Sequence, residues 1–127
     1  MEDFKVLIAE DDEMARNKLA REIKKEGFSV LTAENGRIAF ELFVEENPPI
    51  VVTDLKMPEM SGLELLIRVK QILPKAQVIL LSAYGDMDTV IQALREGALD
   101  YIKKPIELDL LTRALRQARR NVLEYEK

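Results

Sequence analysis

The chain has 127 residues and a net charge of −4, and it contains neither cysteine nor histidine. This length suits one domain with a buried core of its own. The composition excludes disulfides, thiol nucleophiles, zinc sites of the usual ligand types and any catalytic triad with an imidazole base. A negative net charge also argues against a broad DNA-binding surface, which leaves the chemistry of carboxylates and lysines.

Neither a signal peptide nor a membrane anchor is predicted. The first residues, MEDFKVLIAE, have no basic region followed by a long apolar stretch. No apolar run approaches the ~18 residues that a membrane helix needs. We therefore expect a cytoplasmic protein that makes no contact with a membrane.

Five apolar, strand-like runs alternate with five segments of helical period. In chain order the predicted strands lie in KVLIA, FSVLTA, PIVVT, QVILLS and LDYIK, which are rich in β-branched residues. Regular alternation of strand and helix predicts a parallel sheet with helices on both faces. The fold class is therefore α/β, a three-layer, doubly wound (βα)5 domain that takes up residues 1–127.

Capping residues mark the ends of the first three predicted helices. The first should run from about Glu13 to Glu26 and end at Gly27, which suits a left-handed C-terminal cap. Asn35 and Gly36 open the second. Ser61 and Glu64 have capping-box spacing and open the third.

The last two helices are predicted from their apolar residues. The fourth, from about Asp86 to Glu96, is expected to bury Val90, Ile91 and Leu94. The fifth starts near Glu107 and carries apolar residues at alternating intervals of three and four: Leu108, Leu111, Leu115, Ala118, Val122 and Tyr125.

The fifth helix has two interpretations. Leu108 to Leu115 are expected to cover the sheet. A helix over 107–127 would span about 31 Å, whereas strands of five or six residues span ~17 to 20 Å, so its last turns should extend beyond the sheet. Such an overhang would permit weak pairing between two copies and would lead toward an effector domain outside this chain.

Polar side chains follow three of the predicted strands. Glu10, Asp11 and Asp12 follow VLIA, Asp54 follows IVVT, and Lys104 follows LDYIK. Because parallel strands end at the same edge of the sheet, these side chains should meet where such sheets bind ligands. Carboxylates about 4 Å apart repel by about 4 kcal/mol per pair at an effective dielectric near 20, which a hard dication such as Mg²⁺ relieves.

A purely structural interpretation of the acidic run is also open. Asp11, Asp12 and Glu13 could decorate the first turn of a helix, where negative charge suits the helix dipole. Asp54 favours the metal site, because the residues after it read as a loop rather than as a helix start.

Four segments resemble the receiver domain of two-component response regulators, and together they cover nearly the whole chain. They are VLIAEDDEMAR, VVTDLKMPEMSGLELL, LLSAYGD and GALDYIKKPIEL, in the order and spacing of that family. The resemblance implies a flavodoxin-like sheet with strand order 2-1-3-4-5. It also implies a signalling switch that takes a phosphoryl group from the phosphohistidine of a sensor histidine kinase or phosphotransfer protein.

The resemblance implies roles for the acidic residues. Asp54 would be the phosphoacceptor. Mg²⁺ would be held by Glu10, Asp11, Asp54 and the main-chain carbonyl of Lys56. Asp12 is then a spare acid. The domain would catalyse only its own phosphoryl transfer and dephosphorylation, and so would not be an enzyme with an outside substrate.

Further residues would transmit the signal. Ser82 matches the hydroxyl switch position, Tyr101 the aromatic switch, and Lys104 the lysine that precedes a cis peptide bond to Pro105. An amphipathic strand residue is the alternative for Tyr101. Phosphorylation would change the surface of the fourth helix, fifth strand and fifth helix, which controls an effector domain or protein. Ala83 and Tyr84, which follow Ser82, are also assigned to the site. Tyr84 and Lys56 would affect the rate at which water removes the phosphate.

Three other functions share part of the pattern. A flavodoxin-like electron carrier would need to hold a flavin phosphate against EDDE, which would repel it. An aspartyl phosphatase of the haloacid-dehalogenase kind needs a second acid where this chain has Lys56. A degenerate receiver that acts only as a protein-interaction module is the main alternative, although the complete set of site residues argues against it.

Overall fold

The computed structural model describes residues 4–83 and 87–125, and in this part of the chain each strand is followed by a helix. The strands are β1 (Lys5–Ala9), β2 (Ser29–Ala33), β3 (Ile50–Asp54), β4 (Gln77–Ser82) and β5 (Asp100–Lys103). The helices are α1 (Glu13–Lys25), α2 (Gly36–Glu46), α3 (Gly62–Ile72), α4 (Met87–Arg95) and α5 (Leu108–Tyr125). No helix among these residues has both the length and the apolar content to cross a membrane.

The five strands form one parallel sheet in the order β2-β1-β3-β4-β5, which confirms the predicted fold class and strand order. The chain moves outward from β1 to β2 and then crosses to the other side of β1 to form β3. The direction of winding therefore reverses between β1 and β3, and their carboxyl ends flank the crevice where such sheets bind ligands. Ala9 pairs with Thr53, so Glu10 and Asp54 follow side by side.

Two apolar layers enclose the sheet. Along β1, Val6 and Ile8 join one core cluster while Leu7 and Ala9 join the other, because successive strand residues point to opposite faces. The first cluster includes buried residues of α1 and α5, and the second includes buried residues of α2, α3 and α4. Burial on both faces explains why the central strands are continuous apolar runs.

The predicted helix caps agree with the structure to within one residue. Gly27 follows α1 with a φ of +95°, in the left-handed region that favours glycine. The Asn35 side chain caps α2 by accepting a hydrogen bond of 2.8 Å from the Ile38 N–H. Ser61 Oγ accepts the Glu64 N–H at 3.1 Å, as the capping-box spacing predicted.

The predicted inner face of α4 was wrong in part. Val90 is buried, but Ile91 and Leu94 are 42% and 47% exposed, and Ala93 is buried instead. The helix is rotated so that the small residue Ala93 joins the core cluster in place of the two larger ones. Since residues 87, 91 and 94 share one helix face, Met87, Ile91 and Leu94 form an exposed apolar row on α4.

The last turns of α5 extend past the strands, but they do not leave the free apolar seam that was predicted. Ala118 and Val122 are 0% and 6% exposed and belong to the same core cluster as Phe28, whereas Leu108 is exposed. The apolar layer extends past the strands because phenylalanines precede β1 and β2. Arg119 lies 5.9 Å from the ring centres of both of them, Phe4 and Phe28. The apolar repeat over 111–122 is therefore covered by its own chain, and weak pairing of two copies through α5 stays a prediction.

The end of α5 offers a direct test of this packing. Val122→Ala should lower the free energy of unfolding by about 1 to 3 kcal/mol, because buried methyl groups are lost and leave a cavity. Leu123→Ala, at a neighbouring position that is 47% exposed, should change it by less than about 0.5 kcal/mol. Urea unfolding followed by circular dichroism measures both, and equal losses would contradict the packing described above.

Candidate functional site

Three carboxylates gather at the carboxyl edge of the sheet. One carboxylate oxygen from each of Glu10, Asp11 and Asp54 lies within 4.8 Å of the other two. The Ala9–Thr53 register accounts for this, since it delivers Glu10 and Asp54 to adjacent positions at the point where the winding reverses. The structure therefore brings together three acids that the sequence predicted to meet.

The ammonium group of Lys104 lies between two of these acids. Its Nζ is 2.5 Å from Glu10 Oε1 and 3.0 Å from Asp54 Oδ2. Lys104 follows β5, its main-chain N–H donates to the Ser82 carbonyl at 2.8 Å, and the peptide bond to Pro105 is cis, as the resemblance implied. Burial alone would lower the pKa of Lys104, but hydrogen bonds and charges from Glu10 and Asp54 outweigh it and raise the pKa. Lys104 is therefore a fixed cation.

Glu10 is almost fully buried and hydrogen-bonded at both carboxylate oxygens. Its side chain accepts from Lys104 through Oε1 and from the Asp12 main-chain N–H through Oε2 at 3.1 Å. The Glu10 carbonyl accepts a further hydrogen bond of 3.0 Å from Arg16 Nη1. A buried carboxylate is costly unless it is paired in this way. Arg16 was not among the predicted site residues, because an arginine in the first turns of a helix usually faces solvent and nothing in the sequence sets this one apart.

The Asp54 carboxylate is held from two sides. Oδ1 accepts the Leu55 N–H at 2.8 Å, and Oδ2 accepts Lys104. A β-carbon on Gly62 would lie 2.2 Å from the Asp54 carbonyl oxygen, so the loop after β3 folds back onto the strand end. Only glycine permits this approach. Gly62 appears in the sequence as an ordinary helix-start residue, and nothing there reveals its contact with Asp54.

Asp11 is the acid with the least compensation. Desolvation raises its pKa, a hydrogen bond and the charge of Glu10 raise it further, and only a main-chain hydrogen bond and Lys104 oppose them. The residue as a whole is exposed, so solvent screening moderates the effect. One ammonium among three carboxylates thus leaves negative charge that is not neutralised.

The donor set fits a hard divalent cation. Carboxylate oxygens are ligands that Mg²⁺ prefers, and opposite ligands of Mg²⁺ lie ~4 Å apart, close to the spread of this cluster. A bound cation would also favour the ionised form of Asp11, whose pKa is raised by desolvation and then by the hydrogen bond and charge of Glu10. Glu10, Asp11 and Asp54 are therefore the side chains that could hold the ion.

The other predicted residues occupy different places. Asp12 lies outside the three-acid cluster and caps α1, with its carboxylate accepting the Ala15 N–H at 2.8 Å. Lys56 is exposed in the loop between β3 and α3. Ala83 is exposed directly after β4, and Tyr84 lies outside the described residues.

Ser82 and Tyr101 lie on neighbouring strands. Ser82 ends β4, is almost fully buried and pairs with Lys103 of β5 in the sheet register. Tyr101 is half-buried and packs against the core cluster of α2, α3 and α4. Its hydroxyl is buried and has no hydrogen-bond partner within residues 4–83 and 87–125. An unsatisfied hydroxyl of this kind is uncommon in a folded protein.

The fold and the acidic crevice define a class of small parallel α/β domain with a polar site at the point where the winding reverses. The family model described as response regulator receiver domain matches residues 6–116. The chain belongs to the response regulator receiver domain family, which is a family of signalling domains.

Known relatives agree with this assignment. The chain is 39% identical over 116 residues to the chemotaxis protein CheY of Listeria monocytogenes, an alignment that covers 91% of the chain and 98% of that protein. It is 37% identical over 114 residues to the regulatory protein AtoC of Escherichia coli, which covers 90% of the chain but 25% of AtoC. The chain thus spans the length of some relatives and about a quarter of others.

Solved structures agree as well. A response regulator receiver domain protein from Clostridium thermocellum superposes with a TM-score of 0.88 at 33% identity, over 94% of this chain and 98% of that one. NtrX from Brucella abortus superposes with a TM-score of 0.88 at 27% identity, over 98% of this chain and 29% of NtrX. The sheet order and helix arrangement are those of receiver domains.

The uncompensated charge at Asp11 predicts a stabilising substitution. Because the pKa of Asp11 is raised by folding, ionisation of Asp11 destabilises the fold. This effect grows as pH rises through the ordinary pKa and is complete above the folded-state pKa. At neutral pH without Mg²⁺, Asp11→Asn should therefore raise the melting temperature, by about 1 to 4 °C. Added Mg²⁺ should stabilise the wild type more than this variant.

Asp12→Asn is the matched control. It removes the same charge one residue away, and asparagine can keep the helix-capping hydrogen bond to the Ala15 N–H. Its melting temperature should stay close to that of the wild type. If Asp11→Asn melts at a lower temperature than the wild type, or if both variants melt equally higher, ionised Asp11 is not the residue that destabilises the fold.

Proposed function

We propose that this receiver domain is a phosphorylation-dependent switch in which Asp54 accepts a phosphoryl group from the phosphohistidine of a sensor histidine kinase or phosphotransfer protein. The observation that carries the proposal is the position of Lys104 Nζ, which is within hydrogen-bond distance of both Asp54 and the buried Glu10. A carboxylate held beside a fixed cation, at the ligand-binding edge of the sheet, suits phosphoryl transfer.

The transfer needs alignment and charge neutralisation rather than a base. A carboxylate oxygen of Asp54 attacks phosphorus, the new O–P bond forms, and the N–P bond to the donor imidazole breaks with its electron pair left on nitrogen. Mg²⁺, held by Glu10, Asp11, Asp54 and the main-chain carbonyl of Lys56, would neutralise charge on the phosphoryl oxygens. The Leu55 N–H orients the Asp54 carboxylate through its contact with Oδ1.

Lys104 gives the site a way to sense the phosphate. In the unphosphorylated protein its ammonium group is shared between Glu10 and Asp54. A phosphoryl group on Asp54 adds negative charge beside it and competes for the same hydrogen bonds. Phosphorylation would therefore change the contact between the end of β5 and the end of β3.

The switch would act through Ser82 and Tyr101. Ser82 ends the strand next to β3, and a hydrogen bond from its hydroxyl to a charged phosphoryl oxygen would contribute about 1.5 to 3 kcal/mol. That free energy shifts a two-state equilibrium roughly ten- to hundredfold. Tyr101 lies on β5, and a move of its side chain would break no hydrogen bond between its hydroxyl and residues 4–83 or 87–125. The readout would be the surface of α4, β5 and α5, where α4 exposes its apolar row.

The output passes to an effector domain or protein. Some relatives are several times longer than this chain, which spans 22% of the Escherichia coli protein named DNA-binding transcriptional regulator NtrC. This difference in length supports a role for the domain as the input part of a larger regulator, with residues 107–127 leading toward the effector. The net charge of −4 supports control of nucleic-acid binding by the effector rather than by this domain.

Substitution of the proposed phosphoacceptor tests the function. Wild-type protein incubated with acetyl phosphate and Mg²⁺ should gain one phosphoryl group on Asp54, seen by mass spectrometry of the intact protein and of its peptides. Asp54→Asn should gain none, because an amide is not a nucleophile for this reaction. Asp12→Asn, which leaves the three-acid cluster intact, should be phosphorylated like the wild type. An unmodified wild type would instead favour the degenerate, interaction-only receiver.

Lys104 and its neighbour Lys103 separate signal transmission from chemistry. At saturating Mg²⁺, Lys104→Ala should be phosphorylated about a hundredfold more slowly, because one cation beside the phosphoryl group is lost. It should also lose the chemical-shift changes on α4 and β5 that a beryllofluoride phosphoryl mimic induces in the wild type. Lys103→Ala should retain both properties. A full response in Lys104→Ala would disprove the role given to this ammonium group.

A further inference from the structure

A group of polar side chains connects the start of α2 with the loop between β3 and α3. Glu59 Oε1 accepts a hydrogen bond of 3.1 Å from Arg37 Nε, and Glu59 Oε2 accepts one of 3.3 Å from Asn35 Nδ2. Arg37 also pairs with Glu41 at 3.0 Å along α2. We call Asn35, Arg37 and Glu59 the α2–loop clasp.

Glu59 adopts a backbone conformation that does not suit glutamate. Its φ is +68°, in the left-handed region that glycine adopts readily and that a residue with a β-carbon adopts only when its surroundings hold it there. The Met60 N–H donates to the Pro58 carbonyl at 2.8 Å across Glu59, and the hydrogen bonds from Asn35 and Arg37 hold its side chain in addition. Glu59 therefore forms its side-chain hydrogen bonds from a position whose backbone conformation glutamate disfavours.

The loop also packs against the first residue of α2 without space between them. A β-carbon on Gly36 would lie 2.0 Å from the Met60 carbonyl oxygen. Met60 itself is buried in the core cluster that contains Leu55. The polar clasp and this backbone contact together attach the far end of the loop to α2.

The near end of the same loop carries the phosphoryl site. The Asp54 carboxylate accepts a hydrogen bond from the Leu55 N–H. The Leu55 carbonyl accepts the Gly62 N–H at 2.9 Å, which closes the loop at its base. Lys56 lies between this base and the clasp. Its main-chain carbonyl thus belongs to a segment that is fastened on both sides, by the hydrogen bonds of Asp54 and Leu55 before it and by the contacts of Glu59 and Met60 after it.

We propose that Glu59 and Arg37 are positioning residues for Mg²⁺, which act by holding the β3–α3 loop in the conformation that presents the Lys56 carbonyl to the ion. The proposal rests on the proposed function, since it assigns a task to residues outside the metal site. Neither side chain touches the three-acid cluster in the structure. Their effect is on the affinity for the ion and not on the chemical step.

Calorimetric titration of the unphosphorylated protein with MgCl₂ tests the proposal without requiring phosphorylation. Glu59→Gly and Arg37→Gln should each bind Mg²⁺ about three- to tenfold more weakly. Loss of a group that orients a metal ligand typically weakens binding about 10- to 100-fold, and a smaller loss is expected here because the clasp acts through the loop. Thermal melting without Mg²⁺ is measured in parallel. Glu59→Gly should melt at or above the wild-type temperature, because glycine relieves the positive φ.

The charges of the variants distinguish positioning from long-range electrostatics. Loss of the Arg37 cation would by itself strengthen Mg²⁺ binding, whereas loss of the clasp weakens it, so the two explanations predict opposite signs. Glu41→Gln removes one negative charge from the other partner of Arg37 and leaves the clasp in place. It should bind Mg²⁺ within about twofold of the wild type. Arg37→Lys, which keeps the charge, should recover part of the affinity.

The outcomes also separate this proposal from the proposed function. If the wild type binds Mg²⁺ and Glu59→Gly and Arg37→Gln bind it equally well, the clasp has no positioning role and the proposed function is unaffected. Tighter binding by Arg37→Gln would likewise overturn the clasp. If the wild type itself binds no Mg²⁺, the metal site fails, and the positioning role fails with it.

Discussion

The ammonium group of Lys104 is the interaction on which the site depends. It neutralises part of the charge of three carboxylates whose oxygens lie within 4.8 Å of one another, and it pairs with Glu10, which is 1% exposed. Each unrelieved pair of carboxylates at such distances costs about 4 kcal/mol or less at an effective dielectric near 20. One cation cannot balance three acids, and the pKa of Asp11 is raised by desolvation and then by its neighbour Glu10. The fold therefore keeps a place that favours added positive charge.

The sheet explains how such a costly cluster is tolerated. The central strands are buried on both faces, and the polar residues of the site stand at the carboxyl ends of strands or in the loops that follow. The reversal of winding between β1 and β3 opens the crevice, and the Ala9–Thr53 register brings Glu10 and Asp54 together. The same edge carries Gly62, whose missing side chain lets the loop close over Asp54.

The apolar faces of α4 and α5 both differ from what the sequence predicted. The repeat on α5 predicted an apolar seam for a partner, but Ala118 and Val122 pack in the core with Phe28. On α4 the opposite occurs, because Ala93 turns inward and Ile91 and Leu94 face solvent. An exposed apolar row thus lies on α4, whose buried Ala93 belongs to the core cluster that Tyr101 packs against.

Local and periodic features were predictable from the sequence alone: five strand–helix units, the caps at Gly27, Asn35 and Ser61, and the meeting of Glu10, Asp11 and Asp54. These follow from side-chain alternation, from capping chemistry and from the rule that parallel strands end at one edge. The rotation of α4, the burial of Val122 and the clasp between Arg37 and Glu59 were decided only by the tertiary structure. Each depends on which neighbouring layer a helix or loop meets, and residues far apart in the chain supply that neighbour.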